Sequence, residues 1–275
     1  MYRFLRFPDF KYKAVTLSYD DGMVFDEKLI GILDRYGLKC TFNLNSEFFA
    51  NEPGGRRLTK ELATELYLNS RHEVAVHGAR HLSLAEVGTE TATRDVIADR
   101  ENLEKQFGRI IKGMAYANGS YNDTVVEILR NCGIHYARTV IATNGFDIPT
   151  DWLRMPTTCH HTAANLDELT NEFLNAKEAA YYWGNSPKLF YLWGHSYEFN
   201  DNNNWEIIEN FAKKVGNRDD IWYCTNGELY DYCKAYERLE YSVDGKTIKN
   251  DTTFDIYLCY YGKNLLAKAG SITEL

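Results

Sequence analysis

The 275-residue sequence predicts an α/β fold, a distorted barrel of about seven βα units with a small C-terminal β appendage. Apolar runs of strand length alternate with amphipathic runs of helix length, a pattern that implies parallel strands joined by helical crossovers. The length suits a single barrel domain. Reactive side chains also follow several of the predicted strands, at the end where barrel active sites lie.

The predicted elements are separated by short connections. Strands are predicted at residues 14–19, 40–44, 73–76, 110–116, 134–137, 188–193 and 221–224. Helices are predicted at residues 26–36, 60–69, 91–107, 123–131, 167–182, 206–215 and 227–238. Asp26 is the expected N-cap of the first helix, and Gly37 and Gly108 are expected to end two helices. Residues 239–275, with a turn at Asp244-Gly245, form the appendage, which we expect to pack on a barrel domain of residues 1–238.

Composition limits the partners and the compartment. The net charge is −8 and there is no basic stripe, which argues against nucleic acid as a partner. The chain contains no run of about 18 apolar residues, so we expect no transmembrane helix and no membrane partner. The first residues lack an apolar signal core, and the six cysteines form no CxxC pair. We therefore expect free thiols and a cytoplasmic protein.

Two short segments carry the strongest chemical signal. Residues 18–22 read Ser-Tyr-Asp-Asp-Gly and residues 77–81 read His-Gly-Ala-Arg-His, each after a predicted strand. Catalytic zinc sites use three such N/O ligands and keep a fourth position for water. We expect His77, His81 and either Asp20 or Asp21 to bind one divalent metal, while the other aspartate takes a proton from the bound water. Zinc suits this set, and cobalt, nickel, iron or manganese can also occupy such sites.

These segments resemble the first two motifs of NodB-type polysaccharide deacetylases, carbohydrate esterase family four, and the resemblance covers residues 13–236. The family's Thr-Phe-Asp-Asp-Gly motif corresponds to residues 18–22. Its His-Ser/Thr-x-x-His motif corresponds to residues 77–81, with Gly78 in place of the hydroxyl residue. The resemblance implies that Asp20 is the general base and that Asp21, His77 and His81 hold the metal.

The third motif of the family matches less well. Residues 114–121 correspond to its Arg-x-Pro-Tyr segment, but Ala115 stands where an arginine usually braces the base. Arg154 or Arg80 are the candidates to replace that arginine in space. The resemblance also implies an oxyanion pocket lined by backbone N–H groups near Asn118 and Gly119.

The remaining motifs supply the other expected site residues. The nearest match to the fourth motif is Asp151-Trp152, with Asp147 as a second choice, and its aspartate would orient a catalytic histidine. Trp152, Trp193 and Tyr121 are candidates for a sugar-binding surface, with core packing as the equal alternative for Trp193. The fifth motif, Leu-x-His, corresponds to residues 192–195 with one additional residue, which implies that His195 is the general acid.

The implied activity is metal-dependent hydrolysis of an acyl group, with N-acetyl favoured, from a carbohydrate. Two alternatives stay open: an amidase acting on a small non-sugar amide, and a carbohydrate-binding barrel with impaired catalysis, which Ala115 favours. The doublet His160-His161 fits no ligand position of the family, and we expect a solvated pair or a pair at the substrate rim. We expect His72 and His135 to be structural.

Overall fold

The computed structural model describes residues 2–179 and 183–275 and contains a nine-stranded, all-parallel central sheet. The strands are β1 (Arg3–Arg6), β2 (Lys13–Asp20), β3 (Cys40–Leu44), β4 (Glu73–Val76), β5 (Gly113–Ala115), β6 (Tyr136–Ala142), β7 (Met155–Thr157), β8 (Cys159–His160), β9 (Lys188–His195), β10 (Ile221–Tyr223), β11 (Glu240–Tyr241), β12 (Thr247–Asn250), β13 (Ile256–Tyr260), β14 (Lys263–Ala267) and β15 (Ser271–Glu274). The helices are α1 (Asp26–Arg35), α2 (Lys60–Leu68), α3 (Thr89–Phe107), α4 (Asp123–Asn131), α5 (Leu166–Asn175), α6 (Ser196–Asp201), α7 (Glu206–Val215) and α8 (Asn226–Glu237).

The central sheet curls until its two ends meet. Its strand order is β7-β6-β5-β4-β3-β2-β9-β8, and β10 pairs with the first half of β2. The end strands β7 and β8 are separated by Thr158 alone, whose N–H donates to the Tyr191 carbonyl over 2.9 Å. Residues 155–160 therefore connect β6 to β9, and the predicted NodB-type α/β fold is confirmed.

The two end strands of the sheet, β7 and β8, are not among the strands predicted from the sequence, where a loop is expected instead. Both are short, and β7 contains Pro156, which has no N–H to donate to a neighbouring strand. The strand predicted at 134–137 is also displaced, because β6 runs on to Ala142. This extension brings Arg138 into the sheet, next to Ala115 of β5.

The helices begin and end largely as their local signals predict. Asn122 and Thr225 accept hydrogen bonds at the first turns of α4 and α8, and Gly108 ends α3 at a φ of 62°. Asp26, however, is wrong as the N-cap of α1, because Phe25 holds that position. The helix expected at 167–182 is α5, which ends at Asn175; residues 180–182 of that prediction lie outside the described residues.

The C-terminal residues form two small antiparallel sheets. β11, β12 and β15 make one of them, with the turn at Asp244-Gly245 between β11 and β12. The other joins β13 and β14 to the N-terminal strand β1, so the two chain ends share a sheet. No helix of the described ranges is long and apolar enough to cross a membrane. All six cysteines are buried and free.

Candidate metal and catalytic site

The ends of β2 and β4 bring the predicted metal ligands together. The ligand atoms of Asp21, His77 and His81 all lie within 4.8 Å of one another. Asp21 follows β2 with a φ of 86°, and His81 follows β4 with a φ of 53°, left-handed conformations that cost L-residues strain. The two histidine rings meet edge to face, with centroids 4.8 Å apart.

The state of His77 suits a metal ligand. Its Nδ1 lies 2.9 Å from the Ala115 carbonyl, to which an Nδ1–H donates, and this leaves the Nε2 lone pair free. Burial lowers the pKa of His77, so the ring is neutral. Two neutral imidazoles and one carboxylate form a donor set that fits zinc and related divalent ions.

The predicted base, Asp20, is almost fully buried and is held by an arginine that the sequence analysis did not identify. Arg138 of β6, itself fully buried, donates from Nη2 to Asp20 Oδ2, and Asn43 Nδ2 donates to Asp20 Oδ1 over 2.8 Å. Burial alone would raise the pKa of Asp20, but the charges of Arg138, His77 and His195 outweigh it and hold this pKa below its usual value. Asp20 is therefore ionised at neutral pH.

Arg138 is the residue that sequence reasoning missed. Ala115 and Arg138 are Cα partners in the pairing of β5 with β6, so the guanidinium comes from the strand next to the one that carries it in the family motif. The two candidates proposed from the sequence have other partners. Arg80 Nε donates to Asp95 over 3.1 Å, and Arg154 pairs with carboxylates outside the site.

His195 ends β9 and is the register partner of Asp20 on the neighbouring strand β2. Its Nε2 lies 3.8 Å from Asp20 Oδ2, and its Nδ1 lies 3.1 Å from Glu198 Oε2. Burial alone would lower the pKa of His195, but the hydrogen bond to Glu198 and the charge of Asp20 outweigh it and raise this pKa. Glu198 thus orients the predicted acid, the task that was expected of Asp151.

The structure places the residues of the expected fourth motif elsewhere. Asp151 accepts hydrogen bonds from Leu153 N and Arg154 Nη1 and contacts no histidine in the described part of the chain. Asp147, the second choice, is exposed and lies 3.7 Å from the Lys188 ammonium. Trp152 is 7% exposed and packs against Tyr230 in the core, so it is wrong as a sugar-binding surface.

The residues after β5 divide between structure and candidate binding. The N–H of Gly119 donates to the Tyr116 carbonyl over 3.0 Å, so Gly119 does not offer this N–H to an oxyanion. Asn118, with a φ of 56°, keeps its backbone N–H as the candidate donor while its side chain bonds Ser83. Tyr121 is half-buried and stacks on Tyr116 with ring centroids 4.8 Å apart, and its binding role stays a prediction.

Two buried carboxylates of α3 hold the histidine loop. Asp99 accepts from Ser46 N and His77 N over 2.7 and 3.0 Å, and burial raises the pKa of Asp99 to about 7. Asp95 explains Gly78, because a Cβ at that position would lie 2.7 Å from Asp95 Oδ2, and its φ is +81°. The missing hydroxyl of the second motif is thus replaced by bracing from the helix.

The remaining histidines are structural or form a second cluster. His72 is buried and accepts from Cys40 N over 3.1 Å, and the exposed His135 packs on Tyr230. His160 lies at the end of β8 and is partly exposed, whereas His161 is 1% exposed. The expectation of a solvated pair is therefore wrong for His161.

Comparison with known proteins points to one family. Residues 8–137 match the family model described as polysaccharide deacetylase. No curated protein matches the chain. The structure is similar to a candidate polysaccharide deacetylase from Mycobacterium smegmatis, at 18% identity and a TM-score of 0.62, with 85% of this chain and 94% of that chain covered.

Other solved structures share the fold. A family 4 carbohydrate esterase from Streptomyces lividans, in complex with acetate, is 14% identical with a TM-score of 0.52 over 76% of this chain and 91% of that one. BA3943 from Bacillus anthracis, a family 4 pseudoenzyme, is 13% identical with a TM-score of 0.51 over 83% of this chain and 68% of that one. The chain spans only 61% of the Streptococcus pyogenes deacetylase PplD, at 21% identity, a TM-score of 0.44 and 50% of its own length. Residues 8–137 are thus similar to the polysaccharide deacetylase family, and the central sheet has the NodB-like fold.

Proposed function

We propose that the protein is a metal-dependent deacetylase that hydrolyses an N-acetyl group on a carbohydrate. One observation carries this proposal. Asp20 Oδ2 lies 3.8 Å from both His77 Nε2 and His195 Nε2, so an ionised carboxylate stands between a metal-ligand histidine and a second histidine that can act as an acid. This is the arrangement that hydrolysis of an amide requires, with a base on the attacking side and an acid on the leaving side.

The metal is expected at Asp21, His77 and His81. A divalent ion held there lowers the pKa of water and polarises an acyl carbonyl. Arg57 supports this site, since its Nη1 donates to the Asp21 carbonyl over 2.7 Å and its Nη2 lies 3.8 Å from Asp21 Oδ1. The backbone N–H of Asn118 is the candidate donor to the developing oxyanion.

The proton steps follow from the two groups that face each other across the site. Asp20 is ionised and takes a proton from the attacking water at Oδ2, while Arg138 and Asn43 fix the carboxylate plane. His195, with its pKa raised, donates the Nε2 proton to the departing nitrogen, and Glu198 stabilises the charged ring. Acetate and a free amine are the products.

The proposed acid, His195, favours an N-acetyl substrate over an O-acetyl one. An amine leaves an acyl group poorly unless it is protonated, whereas an alcohol needs less help. The alternative of a barrel with impaired catalysis rested on Ala115, which replaces the arginine of the motif. Arg138 pairs with Asp20 in place of that arginine, so this argument for impaired catalysis no longer holds. The proposal therefore treats the protein as an active hydrolase.

Acetate release from two substrate panels tests the proposal. N-acetylated oligosaccharides are compared with small non-sugar amides, before and after chelation and after zinc is added back. We expect release from the oligosaccharides that chelation abolishes and zinc restores, and we expect His77→Ala to lose both metal and turnover. His135→Ala, which removes an exposed histidine outside the site, is the matched control. Turnover of small amides alone, or turnover that survives chelation, contradicts the proposal.

A further inference from the structure

A second group of histidines surrounds one oxygen atom next to the proposed acid. Glu198 Oε2 lies 3.2 Å from His160 Nε2, 3.3 Å from His161 Nε2 and 3.1 Å from His195 Nδ1. The backbone N–H of His195 donates to the same oxygen over 3.2 Å. A carboxylate oxygen has about two lone-pair directions, so four nitrogens exceed what it can accept in good geometry.

His161 shows that this crowding leaves nitrogens without partners. The residue is 1% exposed, and neither of its ring nitrogens has a hydrogen-bond partner among the described residues. Its ring is held between Tyr19 and Phe199, with centroids 5.7 and 4.1 Å away, so it cannot turn towards solvent. A buried imidazole without hydrogen bonds is costly in free energy unless another group binds it.

We propose that His160, His161 and Glu198 form a second binding site for a zinc-type divalent ion. The ligand atoms of these three residues all lie within 4.8 Å of one another, as those of the first site also do. Two imidazoles and one carboxylate are a common ligand set for zinc, with a fourth position left for water. The side chains of His160 and Glu198 are 22% and 25% exposed, which gives the ion a path from solvent.

The surroundings of His160 suit a ligand histidine. Its Nδ1 lies 2.7 Å from the Thr162 hydroxyl, which can accept an Nδ1–H once Nε2 binds a metal. The Thr162 N–H, 3.2 Å from the same Nδ1, loses its acceptor in that state, which is the cost of the rearrangement. Glu198 is already held at the start of α6, and His160 changes its protonated nitrogen when it binds the ion.

This second site has a consequence for catalysis that rests on the proposed function. Glu198 Oε2 cannot bind a cation and accept from His195 Nδ1 with full strength at the same time. Occupation of the second site thus weakens the hydrogen bond that orients the His195 ring. Zinc above one equivalent is therefore expected to inhibit the enzyme.

Zinc titration of the metal-free protein against a chelating dye, with metal content measured after gel filtration, tests the site. We expect two equivalents in the wild type and in His135→Ala, and one in His160→Ala, whose second equivalent is weakened by about 100-fold or more. His77→Ala is expected to lose the other equivalent and to keep this one. His160 is partly exposed, and circular dichroism checks that its variant folds.

Each result has a single meaning for the second site. The second site is ruled out if the wild type binds only one equivalent and His77→Ala removes that equivalent. It is also ruled out if His160→Ala still binds two equivalents. If His77→Ala keeps both equivalents while His160→Ala loses one, the second site stands and the first ligand assignment fails. Inhibition by excess zinc in the wild type, absent in His160→Ala, supports the link to His195.

Discussion

Replacing Arg138 by methionine removes the brace of Asp20 while it keeps a similar volume. Both residues are buried, with Arg138 at 0% and Asp20 at 2% exposure, so solvent cannot take over the charge. Removing one partner of a buried ion pair costs about 3–5 kcal/mol, because the other charge is left uncompensated. We expect Arg138→Met to lower the free energy of unfolding at pH 7 by that amount, measured by urea denaturation.

The sign of the pH dependence follows from the depressed pKa of Asp20. Its stabilising contribution is present above the unfolded-state pKa and is lost as the pH falls through the lower folded-state pKa. The gap in stability between wild type and Arg138→Met should therefore narrow below about pH 4. In the variant the pKa of Asp20 rises, so the acidic limb of the pH–rate profile should move to higher pH.

Two further variants separate the charge from its position. Arg138→Lys keeps the charge and should lose less than the methionine variant. The double variant Ala115→Arg with Arg138→Ala moves the guanidinium to the register partner on β5 and should recover part of the turnover. The reasoning is refuted if Arg138→Met has wild-type stability at pH 7 and an unchanged acidic limb.

Three other changes probe the supports of the site. Glu198→Gln should lower kcat by about tenfold or more with little change in KM, and should move the basic limb of the pH–rate profile to lower pH, because His195 loses the charge that raises its pKa. Gly78→Ser should cost about 1–3 kcal/mol in thermal or urea unfolding, since its Cβ would lie 2.7 Å from Asp95 Oδ2 at a φ of +81°. Burial raises the pKa of Asp26 to about 7, so the free energy of unfolding of the wild type falls as the pH rises from 4 to 7. Asp26→Asn carries no charge at either pH. It should therefore be more stable than wild type at pH 8, by up to about 4 kcal/mol, and equal to it near pH 4.

One control variant and two contrary outcomes test these three predictions. Gly31→Ser adds the same side chain in α1, where a Cβ meets nothing within 4 Å, and should change stability by less than about 0.5 kcal/mol. An unshifted basic limb in Glu198→Gln would assign Glu198 to structure only. A stability difference between Asp26→Asn and wild type that does not change with pH would show that Asp26 is already ionised in the folded protein.

The cluster of Asp21, His77 and His81, the candidate metal site, could be predicted from sequence because its signal is local. His77 and His81 are four residues apart after one strand, and Asp21 follows another, so two short segments and a parallel sheet suffice to bring them together. The positions of these residues depend on where the strands end and not on the register between the strands. The same holds for His195 at the end of β9.

The brace of the base could not be predicted from sequence, because it depends on pairing between strands. Arg138 reaches Asp20 only because β6 continues beyond residue 137 and is in register with β5, and neither fact is encoded in the local pattern. Glu198 is different, since it lies three residues after His195 at the start of a helix, a spacing that places its carboxylate near the preceding backbone N–H. The local sequence therefore indicates Glu198, whereas Asp151 lies 44 residues before His195 in the chain and bonds Leu153 N and Arg154 instead.

Metal content and turnover of Asp20→Asn, measured on the same preparation, separate the proposed role of Asp20 as the base from metal binding. We expect this variant to keep the metal at Asp21, His77 and His81, because Asp20 is not among the proposed ligands, and to lose nearly all acetate release from an N-acetylated oligosaccharide. Turnover close to that of wild type, with the metal still bound, would contradict the role of Asp20 as the base.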